Sequence, residues 1–189
     1  MKKDVILSFD PGSNHFAWVV VKGKTPIAGG YIQNTIKELD KNIYNNSRLF
    51  TKEILYLIKK YNPDYINAER FLVQGPRMGK SAELISFMLG IISTIYKKQL
   101  NLYIAASWKN RFAREYGIKT LEFYKLKCPK FLPHIIDAYL ISQFIHKESP
   151  KDKSIIYKKS RVNKNIQTLM ELCKNEKPPK RPSLKRKKK

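Results

Sequence analysis

The sequence predicts an α/β layered domain on a mixed sheet of five strands, three antiparallel strands first and parallel strands after them, flanked by helices. Three observations lead there. Short apolar runs crowd the first 32 residues with little between them, which suits an antiparallel meander. Helix-length periodic segments then alternate with single short strands, in the order β-β-β-α-β-α-β-α. The last apolar segment begins behind Pro133, a residue tolerated in the first turn of a helix.

The first run, Val5–Asp10 (VILSFD), is broken at once by Pro11-Gly12-Ser13, so it reads as a buried strand that ends in an acid. Phe16–Lys22 and Pro26–Ile32 follow, joined by the short Gly23-Lys24 connection. A helix is expected from about Ser47, as N-cap, to Tyr61, with Leu49, Phe50, Ile54, Leu57 and Ile58 at helical spacing and Asn62-Pro63 as its stop. Asp64 to Ala68 reads as a strand closed by Glu69.

A loop from Arg70 to Lys80 leads into a second helix, Ser81 to Lys98, that is apolar nearly all round: Leu84, Ile85, Phe87, Met88, Leu89, Ile91, Ile92 and Ile95. A helix with one buried face needs a polar face opposite. This one is therefore expected either at the centre of the core or shared with a second subunit, and a homodimer interface is favoured. Asn101 to Ala106 reads as a strand. Ser107 then caps a short helix through Glu115 to Gly117, and Lys119 to Lys130 holds another. The final helix runs from His134 to about Lys147.

Composition shifts after Ser149-Pro150, dividing residues 1–149 from a basic C-terminal extension, 150–189. Within the extension Val162–Leu172 is partly periodic. The chain after about residue 175, with Lys177 to Lys189 as KPPKRPSLKRKKK, reads as disordered. The formal charge is +23, from 38 Lys+Arg against 15 Asp+Glu. The extension carries +12 of it and residues 1–149 carry +11, so the body is basic on its own account. Such an excess implies a polyanionic partner, most simply nucleic acid.

Cys128 and Cys173 lie far apart and fit no metal or redox pattern, which argues against a disulfide framework or a zinc site and suits a reducing compartment. Met-Lys-Lys-Asp does not open a signal peptide, and the longest apolar segment, Leu84 to Ile95, is too short for a bilayer. The expectation is a soluble, intracellular protein without a membrane partner.

Asp10 and Glu69 each close a strand, and Asp137 lies early in the last helix, three residues after His134 on one helical face. Separately each has an ordinary explanation: a turn former, a surface ion pair with Arg70, a helix N-terminal charge. Together, in a basic protein, they suggest carboxylates converging to hold a divalent cation, and hard oxygen donors favour Mg²⁺ or Mn²⁺ over zinc. Two such ions can activate a water and stabilise the leaving oxygen of a phosphodiester. Gly75-Pro-Arg77-Met-Gly79-Lys80-Ser81 imitates a P-loop but has three residues between its glycines instead of four. No nucleotide cofactor is expected; Arg77 and Lys80 are expected instead to touch a DNA backbone.

These segments resemble the RuvC-type Holliday-junction resolvases of the RNase H-like superfamily. Ile6 to Ser13, as ILSFDPGS, is similar to that family's I-x-G-I-D-P-G-S. Pro63 to Phe71 looks like its second acidic strand, Ala106-Ser-Trp-Lys109 like the segment bearing its active-site lysine, and His134-Ile-Ile-Asp137-Ala like its final D-x-x-D-A helix. The likeness spans about residues 4–148 in order, and the Lys/Asn/Ile-rich character suggests a phage or viral version. One departure is His134, which stands where the family usually has an acid.

The resemblance implies that Asp10, Glu69, His134 and Asp137 bind two Mg²⁺ ions, with Mn²⁺ as a substitute, and that Lys109 meets the scissile phosphate. It further implies that Phe71, Arg77, Lys80, Lys109 and Arg111 contact branched DNA, and that a homodimer makes paired nicks in a four-way junction. A flap-cutting or RNA-processing nuclease of the same fold is the nearest rival. A non-catalytic basic nucleic-acid-binding protein is the rival from another class.

Overall fold

The computed structural model describes residues 3–12, 15–33, 43–71, 79–109, 132–144, 164–165, 167–169 and 171–172. The elements are β1 (Val5–Asp10), β2 (His15–Lys22), β3 (Thr25–Gln33), α1 (Ile43–Tyr61), β4 (Tyr65–Arg70), α2 (Lys80–Ile95), β5 (Gln99–Ile104) and α3 (Leu132–Phe144). The strands form one five-stranded sheet in the order β3-β2-β1-β4-β5. β1 is antiparallel to β2 and β2 to β3, whereas β4 joins β1 and β5 joins β4 in parallel. The mixed sheet is the one expected. Each parallel pairing follows a helical crossover, as it must, because a tight turn cannot return the chain in the same direction.

Strand residues alternate between the two faces of the sheet. Phe16, Trp18 and Val20 of β2, with Leu7 and Phe9 of β1 and Ile66 and Ala68 of β4, pack under α1 and α2. Ala17, Val19 and Val21 pack under α3 with Ile135, Ile136, Tyr139 and Leu140. The same alternation turns Ser8 and Asp10 of β1, and Asn67 and Glu69 of β4, towards α3. Asn67 is fully buried there; its side-chain amide donates to the Ile141 carbonyl at 3.3 Å and accepts from Asn101 at 3.1 Å. These bonds fix how α3 lies on β4.

Several boundaries differ from the sequence expectation. α1 starts at Ile43, and Ser47 is buried inside the helix, on the face it shares with Phe50, Ile54 and Leu57. A small hydroxyl residue suits a cap, but here it continues the buried stripe. α1 does end at Asn62, which takes a left-handed φ of 41° and bonds back to Ile58, a conformation Asn tolerates at a helix C-terminus. β5 begins at Gln99 and ends at Ile104, because residues 105–109 are already helical. Ser107 is therefore not a cap; its hydroxyl donates to the Ile104 carbonyl at 2.7 Å.

α2 is neither central nor buried all round. Leu84, Ile85, Met88, Leu89 and Ile92 are buried, while Phe87 is 49% exposed and Ile95 39%. The expected helices within 110–131 and the tail after residue 172 lie outside the described residues. No described helix is long and apolar enough to cross a membrane.

The register of α1 gives a direct test on adjacent residues. Ile54 is 2% exposed and Leu55 39%. Ile54→Ala should cost about 2–5 kcal/mol in urea unfolding, as truncation leaves a cavity, whereas Leu55→Ala should stay near about 0.5 kcal/mol. The reverse order would refute this packing.

Candidate active site

The last residues of β1 and β4 bring two carboxylates side by side. Phe9 pairs with Ala68, so the next residues, Asp10 and Glu69, stand together at the carboxyl edge of neighbouring parallel strands. Both face α3, whose second turn supplies Asp137. The three acids are 7%, 5% and 4% exposed. His134, one turn earlier on α3, points its Nδ1 at Asp10 Oδ2, 2.8 Å away. A carboxylate accepts, so Nδ1 carries the proton, and the His134 side chain is half exposed.

The helical segment at 105–109 closes the site from the β5 side. Lys109 Nζ lies 3.2 Å from Asp137 Oδ2 and 3.9 Å from Glu69 Oε2. Trp108 is fully buried, and its indole N–H donates to Glu69 Oε2 at 3.0 Å. The Lys109 ammonium also stands 4.9 Å from the centre of the Trp108 ring, within cation–π range. Trp108 thus contacts both members of the Glu69–Lys109 pair. The His15 ring lies parallel to that of His134, 6.4 Å between centres with planes 2° apart, and is itself 6.4 Å from Tyr31.

The electrostatics follow from burial and crowding. Burial is the main influence on Glu69 and pushes its carboxyl up to about 7. Asp10 and Asp137 add to the rise, whereas Lys109 and the Trp108 hydrogen bond oppose it. For Lys109 burial pulls downward, but Asp137 and Glu69 together outweigh it and raise the ammonium. The hydrogen bond to Asp10 raises His134 above its ordinary value, against a smaller opposing effect of burial.

The structure therefore brings together Asp10, Glu69, Lys109, His134 and Asp137, and adds Trp108 and His15, which the sequence reading had not singled out. Trp108 stood inside the quoted Ala106–Lys109 segment, but nothing in the sequence says that an indole N–H reaches Glu69. Phe71 sits just past β4 and is 42% exposed. It lines a cavity of about 280 Å³ with Arg70, Leu89 and Leu102, so it is not a core residue. Lys80 opens α2. Arg77, Arg111 and Ser13 lie outside the described residues. Among the described residues no three His, Cys, Asp or Glu side chains are grouped so as to hold a metal ion as they stand.

No family model matches the chain, and no curated protein matches it. Solved structures do. RuvC of T. thermophilus in complex with Holliday junction substrate aligns with a TM-score of 0.55 and 18% identity, over 73% of this chain and 90% of that one. A second Thermus thermophilus RuvC structure aligns at 0.52 and 15%, with the same coverage of both chains. The yeast mitochondrial Holliday junction resolvase Ydc2 aligns at 0.53 and 13%, over 89% of this chain and 84% of that one. At these identities the likeness is one of fold. The chain has the RNase H-like fold of RuvC, and the three acids, His134 and Lys109 are its own residues at the strand and helix ends of that fold.

The Glu69 carboxyl should register in the metal-free protein's stability. Its folded value, about 7, lies above the ordinary 4.5, so its stabilising contribution is complete below pH 4.5 and is lost as pH rises through 7. His134, also raised, acts in the same direction from pH 6.5 upward. Thermal unfolding in EDTA should therefore show a melting temperature that falls across this window. Glu69→Gln should flatten the fall, and Trp108→Phe, which removes the opposing hydrogen bond, should extend it to higher pH.

Proposed function

We propose that the chain is a divalent-metal-dependent endonuclease that resolves four-way DNA junctions. The observation that carries this reading is the convergence of Asp10, Glu69 and Asp137, all buried, on one sheet edge of a protein that otherwise carries a net charge of +23. Burying three acids together is costly unless cations compensate them. The donor set, carboxylate oxygens with one imidazole, fits Mg²⁺ or Mn²⁺. Burial raises Glu69 even though Lys109 opposes the rise, so added positive charge there would favour the ionised carboxylate.

Asp10, Glu69, Asp137 and His134 would hold two Mg²⁺ ions, which when bound supply Lewis acidity at the scissile phosphodiester and at the attacking water. The chain's own groups do the rest. Trp108 occupies one oxygen of Glu69 and so fixes how the carboxylate presents itself. Lys109 is a partly exposed cation paired with Asp137 and near Glu69, and on substrate binding it would turn to the phosphate, where charge builds up in the transition state. His134, oriented by Asp10 through its Nδ1, keeps Nε2 as the ring nitrogen with a free lone pair, the atom that would meet an ion. Phe71, exposed beside the edge, supplies an apolar face for an unstacked base, and Arg77, Lys80 and Arg111 supply phosphate contacts. A RuvC of the same fold in complex with Holliday junction substrate supports branched DNA as the substrate class.

Cleavage of synthetic four-way junction, fork, flap and linear duplex in Mg²⁺ tests the reading. Junctions should be cut with paired nicks, and Asp10→Asn should lower the rate by at least about 10³-fold, an effect on the scale of losing a principal electrostatic contributor, while leaving junction binding intact. Unchanged cleavage by Asp10→Asn would leave a non-catalytic binding protein as the answer. Equal cutting of all four substrates would point to a less selective nuclease of the same fold.

A homodimer through the outer face of α2 places two such sites on one junction. Phe87 and Ile95 are exposed there, and a Cβ at Gly90 would meet nothing within 4 Å among the described residues. The Ser93 and Thr94 hydroxyls both donate to the Gly90 carbonyl, which quiets the polarity of that face. Phe87→Asp should convert the dimer to a monomer in light scattering, with less than about 1 kcal/mol change in unfolding of the monomer, as befits an exposed position.

A further inference from the structure

The segment at 164–172 lies in a stretch that is only partly periodic in sequence, yet its described residues are built into the body. Leu169 is fully buried in the cluster beneath α3. Its Cδ2 lies 3.1 Å from where a Cβ would stand on Gly29, next to Ile135 Cγ2 at 3.5 Å, so glycine in β3 leaves the space that the leucine fills. Asn165 is buried too, and its side-chain amide donates to the Lys24 carbonyl at 2.9 Å and to the Tyr139 hydroxyl at 2.8 Å.

These contacts give the segment a direction. Asn165 touches Lys24, in the β2–β3 turn at the end of the sheet away from the carboxylates, and Tyr139 in the middle of α3. Leu169 touches Gly29, further along β3, and Ile135, the neighbour of His134. The segment therefore runs antiparallel to α3, towards the edge that carries Asp10 and Glu69.

We propose that residues 164–172 are a strap that delivers the polybasic C-terminus to the carboxylate edge, where it grips the phosphate backbone of the DNA beside the branch point. The proposal rests on the junction-cutting reading above. Residues 177–189 hold eight Lys or Arg and no acid. Only residues 173–176 separate the strap from Lys177, at most about 14–18 Å of extended chain. Leu169 anchors on β3, two strands from β1, or roughly 10 Å across the sheet. That length of chain is enough for the first tail cations to reach the carboxylate edge. A polycation held there attracts phosphate to an edge whose own side chains are acidic. Anchoring it raises its local concentration over that of a freely tethered tail.

The native Cys173, immediately after the strap, allows a direct test. The Cys128→Ser protein, labelled at Cys173 with a photo-crosslinker and bound to a synthetic four-way junction in EDTA, should crosslink within about one helical turn, 10 base pairs, of the branch point. Asn165→Ala and Leu169→Asp should each spread the crosslinks along the arms and weaken junction binding several-fold. Removal of 177–189 should weaken binding and lower its salt slope. Crosslinks at the arm ends, or a pattern that neither anchor variant alters, would overturn the proposal. Cleavage by the unlabelled protein in Mg²⁺ separates the two readings. A protein that cuts junctions but crosslinks at the arm ends loses the strap alone, whereas clustered crosslinks without cutting refute the nuclease and leave the tail's placement standing.

Discussion

The carboxylate edge depends on an imbalance between buried negative charge and the cations that face it. Asp10, Glu69 and Asp137 are almost wholly out of solvent, and Lys109 and His134 are the basic groups shown to bond or pair with them. Among the described residues one ammonium is shared between Asp137 and Glu69, and burial leaves Glu69 raised despite it. A site whose purpose was stability would replace these acids with apolar groups, since buried ion pairs seldom outperform good packing. Retaining them keeps the site poised for additional positive charge.

The rest of the fold can be understood as what holds that imbalance in place. Parallel pairing of β1 with β4 sets Asp10 beside Glu69. Strand alternation turns both under α3, and the Asn67 bond to the Ile141 carbonyl holds the helix that supplies Asp137. The opposite face of the sheet packs Phe16, Trp18, Val20, Leu7, Phe9, Ile66 and Ala68 against α1 and α2. One layer carries the packing, and the other combines packing with a polar seam that leads to the edge.

The order and kind of elements were readable because apolar runs, Pro-Gly and Asn-Pro breaks and strand-terminal acids are local signals. Asp10, Glu69 and the His134–Asp137 pair were legible for the same reason. What was not legible depends on distance in the chain. Ser47 resembles a cap until α1 is seen to continue through it, and α2 looks uniformly apolar because sequence alone does not show which face meets the sheet. Trp108 reaches Glu69 across 39 residues, and Asn165 reaches Lys24 across 141. No periodicity predicts either contact. His15 escaped notice because the residue that opens β2 shows no motif until α3 lays His134 against it.

The placement of the two tryptophans has an optical consequence. Trp18 belongs to the apolar layer under α1 and α2, whereas Trp108 lies on the far side of the sheet with its N–H on Glu69 and an ammonium near its ring. An indole's emission responds to the charges at its two ends. A carboxylate that changes partner, or a lysine that swings away, would recolour Trp108 and leave Trp18 untouched. The protein thus carries an intrinsic fluorophore bonded to a buried acid of the edge, and the arrival of a cation or phosphate there can be followed by light, with no label attached.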